Sequence, residues 1–420
     1  MFFFDFGVSI YFFFFNLFLS GHGYTEAQLG LLTGTMAAGN LAGALPAARL
    51  IQRSGLRNAL VTCPVAVPAV LCARSLTPSF SIQLGLAFLT GLALCIWAVC
   101  ISPITAAITT ERERPRAFSL VFSLGIGVGA AGALAGSRMP GWFSRQVGNL
   151  GPLAPDQLTL IAACCIAALA LVPALGLRKC GSAQSPQIQS PHERGPVRPP
   201  QEREDVLGDP GCGDPETPPR AGSLWTPAVR RILPAVGIWG LVTGSFAPFG
   251  NVFLATHLHL PLHSVGTVFS ASQICQVAAV LCAPFVFRRL GISKGVFTMQ
   301  VGTATCFILL ALMAHPVAGS MIYVALMGLQ YMGEPGIYSL MMDIVPEEAR
   351  GRASASMALV LGAAQLIAAA AAGWTFTNLG YPRALGIIAT IAVSAGLLFR
   401  TVTHVETGAL LACGNEAPGE

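Results

Sequence analysis

The stretch IQRSGLRN, from Ile51 to Asn58, and the stretch FRRLGISK, from Phe287 to Lys294, each set an Arg-x-Gly between two long apolar runs. Arg53 and Arg289 stand 236 residues apart, and so do Gly55 and Gly291. The same shift pairs Gly30 with Gly266, Asn40 with Gln276, and the RAFS that starts at Arg116 with the RASA that starts at Arg352. One shift relating this many landmarks marks a duplicated unit, and a duplication constrains the fold more tightly than any single motif.

Composition says what the unit is built from. The chain is 54% hydrophobic and 10% charged, with a mean hydropathy of +0.66, whereas soluble domains carry about 25% charged residues. Such a chain cannot cover itself for water. A helix needs roughly 17 to 25 apolar residues to cross a ~30 Å hydrocarbon core. Runs of that kind occupy 2–20, 27–49, 58–74, 82–108, 117–138 and 157–177, then 228–256, 265–287, 295–315, 318–342, 353–374 and 382–400. Backbone groups facing lipid must be satisfied within their own segment, so these runs are helices. The fold class is an all-α polytopic membrane protein of twelve transmembrane helices, arranged as two pseudo-symmetric six-helix bundles. The opening MFFFDFGVSIYFFFF lacks a basic n-region and a small-residue cleavage site, and reads as the first span rather than a signal peptide. It begins so abruptly that the true N-terminus stays open.

Orientation follows from Lys and Arg. With the N-terminus inside, twenty of the 24 fall on one side, and Arg74, Arg138, Arg145 and Arg383 on the other. Both termini are then cytoplasmic. The net charge of +5 is a topology signal and calls for no nucleic-acid partner. Twelve cysteines without a CxxC pair or a His-rich cluster read as small buried hydrophobes, with no metal or cofactor expected. Within 178–226 the texture turns to Pro, Gly and charge, which cannot bury a core and predicts a disordered cytoplasmic linker. The predicted organisation is a bundle over 1–177, that linker, a second bundle over 227–403 and a cytoplasmic tail over 404–420. Two six-span halves joined by a cytoplasmic loop keep the same topology and form a parallel repeat about an axis along the membrane normal. NLFL at Asn16 returns as NVFL at Asn251, one residue out of the 236 register, which predicts a single-residue insertion before Gly266.

The six-plus-six layout, the basic loop after span 2 with its copy after span 8, and the Arg-rich loop after span 4 echoed after span 10 resemble the major facilitator superfamily. The resemblance covers nearly all of the chain outside the linker. That family's signature of Gly, three residues, Asp, Arg, any, Gly, any, basic falls on Ala48, Gln52, Arg53, Gly55 and Arg57. The acid is missing, with Gln52 in its place, and in the copy Arg288 stands where it would be, before Arg289 and Gly291. The resemblance implies that these loops, with Arg116, Arg352 and Asp343 at the same edge, clamp the halves in the outward-facing state. Independently of it, Gly allows a positive φ in a tight turn, and Arg suits a helix C-terminus.

Two acids fall inside spans, Asp5 and Glu334. Asp5 lies near the cytoplasmic edge and reads as an interfacial cap. Glu334 lies nine residues before Asp343, roughly 13 Å in at 1.5 Å per residue, and ionisable groups at that depth mark function by default. Gln330, Glu334 and Tyr338 are spaced i, i+4, i+8 along one face. Gly333, Pro335 and Gly336 around the carboxylate predict a kinked or opened helix. Asn16, Asn251, Gln273 and Gln276 supply neutral polar groups, and the resemblance places Asn16 and Asn251 on cavity-lining helices. The glycines of span 5, Gly125, Gly129 and Gly132, favour close helix packing; exporting relatives have a Gly-Pro motif there, and here the Pro is absent.

These readings converge on a secondary active transporter working by alternating access, with a small-molecule solute and the lipid bilayer as partners, the proton as coupling ion, and a monomer in a plasma membrane, the bacterial inner membrane favoured. Efflux of drug-like or small organic solutes is slightly favoured. With no Lys or Arg in mid-span, a neutral or cationic solute is favoured over an anion. The alternatives are an uncoupled facilitator and a membrane sensor or scaffold that keeps the fold. No Walker A pattern appears, which disfavours ATP-driven transport by this chain alone; no Gly-x-Ser-x-Gly or His-Glu-x-x-His appears, and the outer-loop His257, His259 and His263 read as solvated, so the chain is not expected to be an enzyme.

Overall fold

The computed structural model describes residues 2–109, 114–146, 154–176, 227–313, 315–345 and 350–414. The expected linker over 178–226 lies outside the described residues. In the first half, α1 is Phe2–Gly21, α2 Glu26–Ser54, α3 Leu56–Leu76, α4 Phe80–Ile108 and α5 Arg114–Gln146. Helix α6 is Pro155–Ala168, continued after a short turn by Leu171–Gly176. In the second half, α7 begins as Pro227–Phe246 and ends at His257, α8 is Leu262–Leu290, α9 Ile292–Leu312 and α10 Pro316–Ile344. The helical stretch Arg350–Gly414 bends at Gly380, at φ 76°, into α11 before it and α12 after it. The last helix therefore runs through 404–414, past the expected end of the bundle.

The 236 shift carries α2 onto α8, α3 onto α9 and α4 onto α10 with the same first and last residues. It also holds in the backbone. Gly55 turns α2 into α3 at φ 81°, ψ 157°, and Gly291 turns α8 into α9 at φ 79°, ψ 153°. Positive φ of this kind is open to glycine and costly for other residues. Gly23 at φ 84° and His259 at φ 53° are a further pair at the same shift.

The slip between Asn16 and Asn251 has a structural cause. Gly21 and His257, the ends of α1 and α7, are 236 apart, while the two Asn are 235 apart, so the second half gains one residue between Asn251 and His257. Phe253–His257 is a π-helical turn, in which Leu258 N–H reaches back five residues to Phe253 O at 3.1 Å. A π-turn is how a helix absorbs one inserted residue, and such turns are frequent at functional sites. The predicted insertion is this turn.

Apolar residues fill both bundles. Phe4, Tyr11 and Phe15 of α1 are fully buried or nearly so, and Tyr11 OH donates to Leu71 O at 2.9 Å, tying α1 to α3. In the second half Phe246 meets the rings of Phe253, Phe307 and Phe376 at 5.4, 5.5 and 6.4 Å between centroids. Among the described residues eight segments are long and apolar enough to cross a membrane. Helices α2, α5 and α10 are not among these eight. Gly30 of α2 lies against Ala369 and Gly373 of α11, and its repeat mate Gly266 of α8 lies against Ala133 and Ser137 of α5. Ala133 and Ala369, like Ser137 and Gly373, are themselves 236 apart, so the two seams are copies of each other. A Cβ at Gly30 would strike the backbone of Ala369, and one at Gly266 the side chain of Ser137.

Candidate functional site

The halves are bonded to each other near the Gly23 and His259 turns. Ala27 N–H at the start of α2 donates to Thr377 Oγ1 of α11 at 2.9 Å, and Tyr381 OH donates to Glu26 Oε1 at 3.3 Å. Deeper in, Asn16 Nδ2 donates to Pro248 O at 2.8 Å, and Asn251 Nδ2 donates to Phe13 O at 2.6 Å. Residues 13 and 248, like 16 and 251, are 235 apart. The two bonds are one interaction repeated by the duplication, each half offering an amide and a carbonyl to the other.

The carbonyl at Pro248 is free because α7 is broken there. Ala247–Phe249 is a 3₁₀ turn, and Val252 N–H, which an unbroken α-helix would send to Pro248 O, is engaged by Asn251 Oδ1 at 2.9 Å. A carbonyl at membrane depth that loses its own ladder needs another donor, and Asn16 supplies it. The sequence led to the expectation of a kinked or opened helix in α10. That helix is continuous from Pro316 to Ile344; Gly336 packs on Phe287 and Val296, and Gly333 faces Met299 Cβ at 3.7 Å. The glycines beside Pro335 bring α10 close to α8 and α9 rather than opening it. The signal for the true break was present in APFG, where Pro248 is followed by Gly250 just ahead of the out-of-register Asn251.

Beside the crossed Asn bonds is a cavity of about 390 Å³ between the halves, with walls from α1, α2, α3 and α5 on one side and α7 and α8 on the other. Its polar lining is Ser9, Asn16, Thr33, Arg74, Asn251 and Gln273; Phe12, Phe13, Phe15 and Phe269 supply much of the rest. The structure thus brings Asn16, Asn251 and Gln273 to one place. Gln276 is buried one turn farther along α8, off the walls. Glu334, Gln330 and Tyr338 also lie off the walls. They do not share an environment either: Gln330 is 3% exposed and its Nε2 has no partner among the described residues, Glu334 is half-buried, and Tyr338 is 47% exposed. Asp5 accepts a hydrogen bond from Trp97 Nε1 of α4 at 3.1 Å. Of the span 5 glycines, Gly132 packs tightly on Ser9, Gly129 faces Gln273, and Gly125 meets nothing within 4 Å.

At the opposite end, Gln52, Arg53 and Gly55 are exposed, as are Arg289 and Gly291. Arg57 Nη2 donates to Leu175 O at 3.0 Å within the first half, and Arg289 stacks over Phe285 of its own helix at 4.4 Å. The side chains of Arg116, Arg352 and Asp343 lie outside the described residues.

By sequence Arg74 closes the third expected span, 58–74, and counts among the four charges of the outer side. The structure puts it in the last turn of α3, 3% exposed, on the cavity wall. The expectation of a neutral or cationic solute rested on the absence of Lys and Arg in mid-span; Arg74 is at a span's end, yet it is a cation on the cavity wall. A charge at the outer end of a span counts as a topology signal by position; only the packing of α1 and α4 around Arg74 shows that it points inward.

A family model described as Major Facilitator Superfamily matches residues 1–253 and 232–412. No curated protein matches the chain in sequence. Among solved structures, the nucleoside transporter NupG superposes with a TM-score of 0.73 at 12% identity, over 96% of each chain. A bacterial homologue of the human lysosomal transporter Spinster, inward-facing and unoccupied, gives 0.70 at 12% identity over 97% of this chain and 95% of that one. A D-xylose–proton symporter gives 0.64 at 13% identity over 95% and 94%. At such identities the likeness establishes the fold.

Proposed function

The chain belongs to the Major Facilitator Superfamily, and from that premise we propose that it is a secondary active transporter that moves a small organic solute by alternating access about the cavity between its halves. The observation that carries this reading is the placement of the cavity. It sits at the seam, its walls come from both halves, and hydrogen bonds between the halves flank it. A site so placed is exposed to one side or the other as the halves rock. We place the Arg53 and Arg289 end in the cytoplasm on the charge count; a reporter fused within 178–226 that read as external would reverse it.

Coupling to protons is assigned to Glu334. It is a carboxylate in a spanning helix, without a hydrogen bond or ion pair to any described residue, on a face shared with the partly exposed Tyr331 and Tyr338. A carboxyl group held at that depth is worth keeping only if its charge, or the loss of it, is used. One observation favours an uncoupled facilitator as the second reading: Glu334 is not on the cavity wall.

The test is flux into sealed vesicles containing the purified chain. Wild type is expected to accumulate solute when a pH gradient is imposed. Glu334→Gln keeps the shape of the side chain and removes its titration, so accumulation should vanish while downhill flux and exchange persist, and thermal stability should hold or rise because a half-buried acid has been neutralised. Accumulation that keeps its pH dependence in Glu334→Gln removes the proton role; no solute-dependent flux under any gradient removes transport and leaves a sensor or scaffold.

A further inference from the structure

We propose that Arg74 is the recognition group for an anionic solute, and that the chain's substrate is a small organic carboxylate with an apolar or aromatic body. The proposal rests on the transporter reading, which it deepens by naming a substrate class.

The argument begins with what surrounds the guanidinium. Arg74 is 3% exposed, and a buried cation is expensive unless it is paired. Among the described residues it has no carboxylate partner. Its Nε donates to Gln83 Oε1 at 3.2 Å, and its guanidinium carbon lies 4.4 Å from the centroid of the Phe15 ring. Gln83 is itself fully committed, its Nε2 donating to Arg74 O at 2.6 Å and to Thr77 O at 2.9 Å. The next layer is fixed too: Tyr11 OH donates to Leu71 O, and Ser75 Oγ donates to Tyr11 OH at 3.3 Å. The guanidinium is therefore held at Nε and on one ring face by a rigid frame, and that frame neutralises none of its charge.

An arginine carries five N–H donors in a planar fork that matches a carboxylate edge to edge. One donor is spent on Gln83, and the terminal nitrogens make no hydrogen bond among the described residues. The side chain lines the 390 Å³ cavity, where it is the single ionisable residue among the described lining residues, amid Ser9, Asn16, Thr33, Asn251 and Gln273. Thr33 Oγ1 already donates to Leu29 O, and both Asn amides are spent between the halves. Ser9 and Gln273 on the same wall offer neutral groups, and Arg74 adds the one charged group among the described lining residues. In the same cavity Phe12, Phe13 and Phe269 supply apolar lining suited to a hydrocarbon or aromatic body. A carboxylate would complete the charge, and its body would fill the remaining space. Asn16, Pro248, Asn251 and Phe13, which make the bonds that join the halves, line the same cavity as Arg74.

The experiment uses the full chain in uncharged detergent and reads binding by calorimetry with matched probes: benzoate and hexanoate, the amides benzamide and hexanamide, and benzylamine. Wild type is expected to bind at least one carboxylate, and to bind it at least tenfold more tightly than the matching amide and benzylamine. Arg74→Gln should remove that preference, and Arg74→Lys should restore part of it by returning the charge without the planar fork. The comparison of carboxylate with amide in wild type needs no variant, so misfolding of Arg74→Gln does not spare the proposal. No carboxylate binding, or equal binding of acid and amide, overturns it, as does a carboxylate preference that survives in correctly folded Arg74→Gln. Displacement of the carboxylate by phosphatidylglycerol would give the anion site to lipid headgroups and overturn the small-solute assignment. Failure of the underlying reading looks different: carboxylates would bind through Arg74 yet not cross vesicles, whereas flux of amides or amines alone would keep transport and refute the anion site.

Discussion

Asn16 and Asn251 stand in phenylalanine-rich helices with almost nothing polar around them, and that isolation made them legible: a polar amide kept in both copies of such a helix has to bond across to something. Their partners were not legible, because the acceptors are main-chain carbonyls, and the one at Pro248 is freed only by a local break in α7. Arg74 shows the opposite failure, a charge visible in the sequence whose direction was not. A hydrogen bond between helices in a membrane is worth about 0.6 kcal/mol on average and up to about 1.7. Each Asn bond is therefore an adjustable latch and not a requirement for folding. Asn16→Ala and Asn251→Ala should each leave expression unchanged and shift the conformational equilibrium toward opening at the Gly23 end, by roughly threefold to tenfold for about 0.6 to 1.4 kcal/mol. In a cysteine-depleted background, Ser9→Cys on the cavity wall reports this as faster labelling by an impermeant thiol reagent added outside. Symmetry makes a sharper demand, that the two variants agree within about twofold. An effect confined to one of them would mean that the duplicated geometry does not carry duplicated energy.

The helices were readable as elements because each needs a long apolar run, and every one of the expected runs has its helix in the structure, including the pair joined through Gly380. What could not be read was where helices depart from regularity, since Pro and Gly permit a break without requiring one. The GEPG of α10 stays helical because its glycines are occupied in packing, whereas APFG in α7 breaks and is followed within a few residues by the π-turn at Phe253–His257. The π-turn sets the phase of everything before it. One residue rotates an α-helix by about 100° and advances it 1.5 Å, so without the extra residue Asn251 could not face Phe13 while His257 and α8 keep their repeat positions. Deleting Ala255 should therefore leave a chain that inserts and folds, with flux reduced at least tenfold, whereas Ala255→Gly, which keeps the count, should stay within about threefold of wild type. Near-normal flux from the deletion would show that the turn is not what phases Asn251.

At the scale of the molecule, the duplication places two equivalent seams, α2 against α11 and α5 against α8, and both are close-packed through small residues near the Gly23 and His259 turns. Transport by rocking requires those seams to part. Ala27 and Thr377 offer a direct way to ask whether they do. The 2.9 Å bond from Ala27 N to Thr377 Oγ1 puts the two backbones side by side across the interface, and neither residue lies on the cavity wall, so a bond between them need not touch the solute. In a cysteine-depleted chain carrying Ala27→Cys and Thr377→Cys, oxidation should form a disulfide readily, because side chains this near need little backbone movement to meet its geometry. The oxidised protein should then hold this end shut. Flux is expected to fall by at least tenfold on oxidation and to return on reduction, while a carboxylate ligand still binds from the Arg53 side with nearly unchanged affinity. The two readouts separate the possibilities. Loss of both flux and binding would place the lock on the site itself, and undiminished flux through a fully cross-linked chain would show that α2 and α11 stay together throughout the cycle, so that passage occurs by some route other than the parting of the two halves.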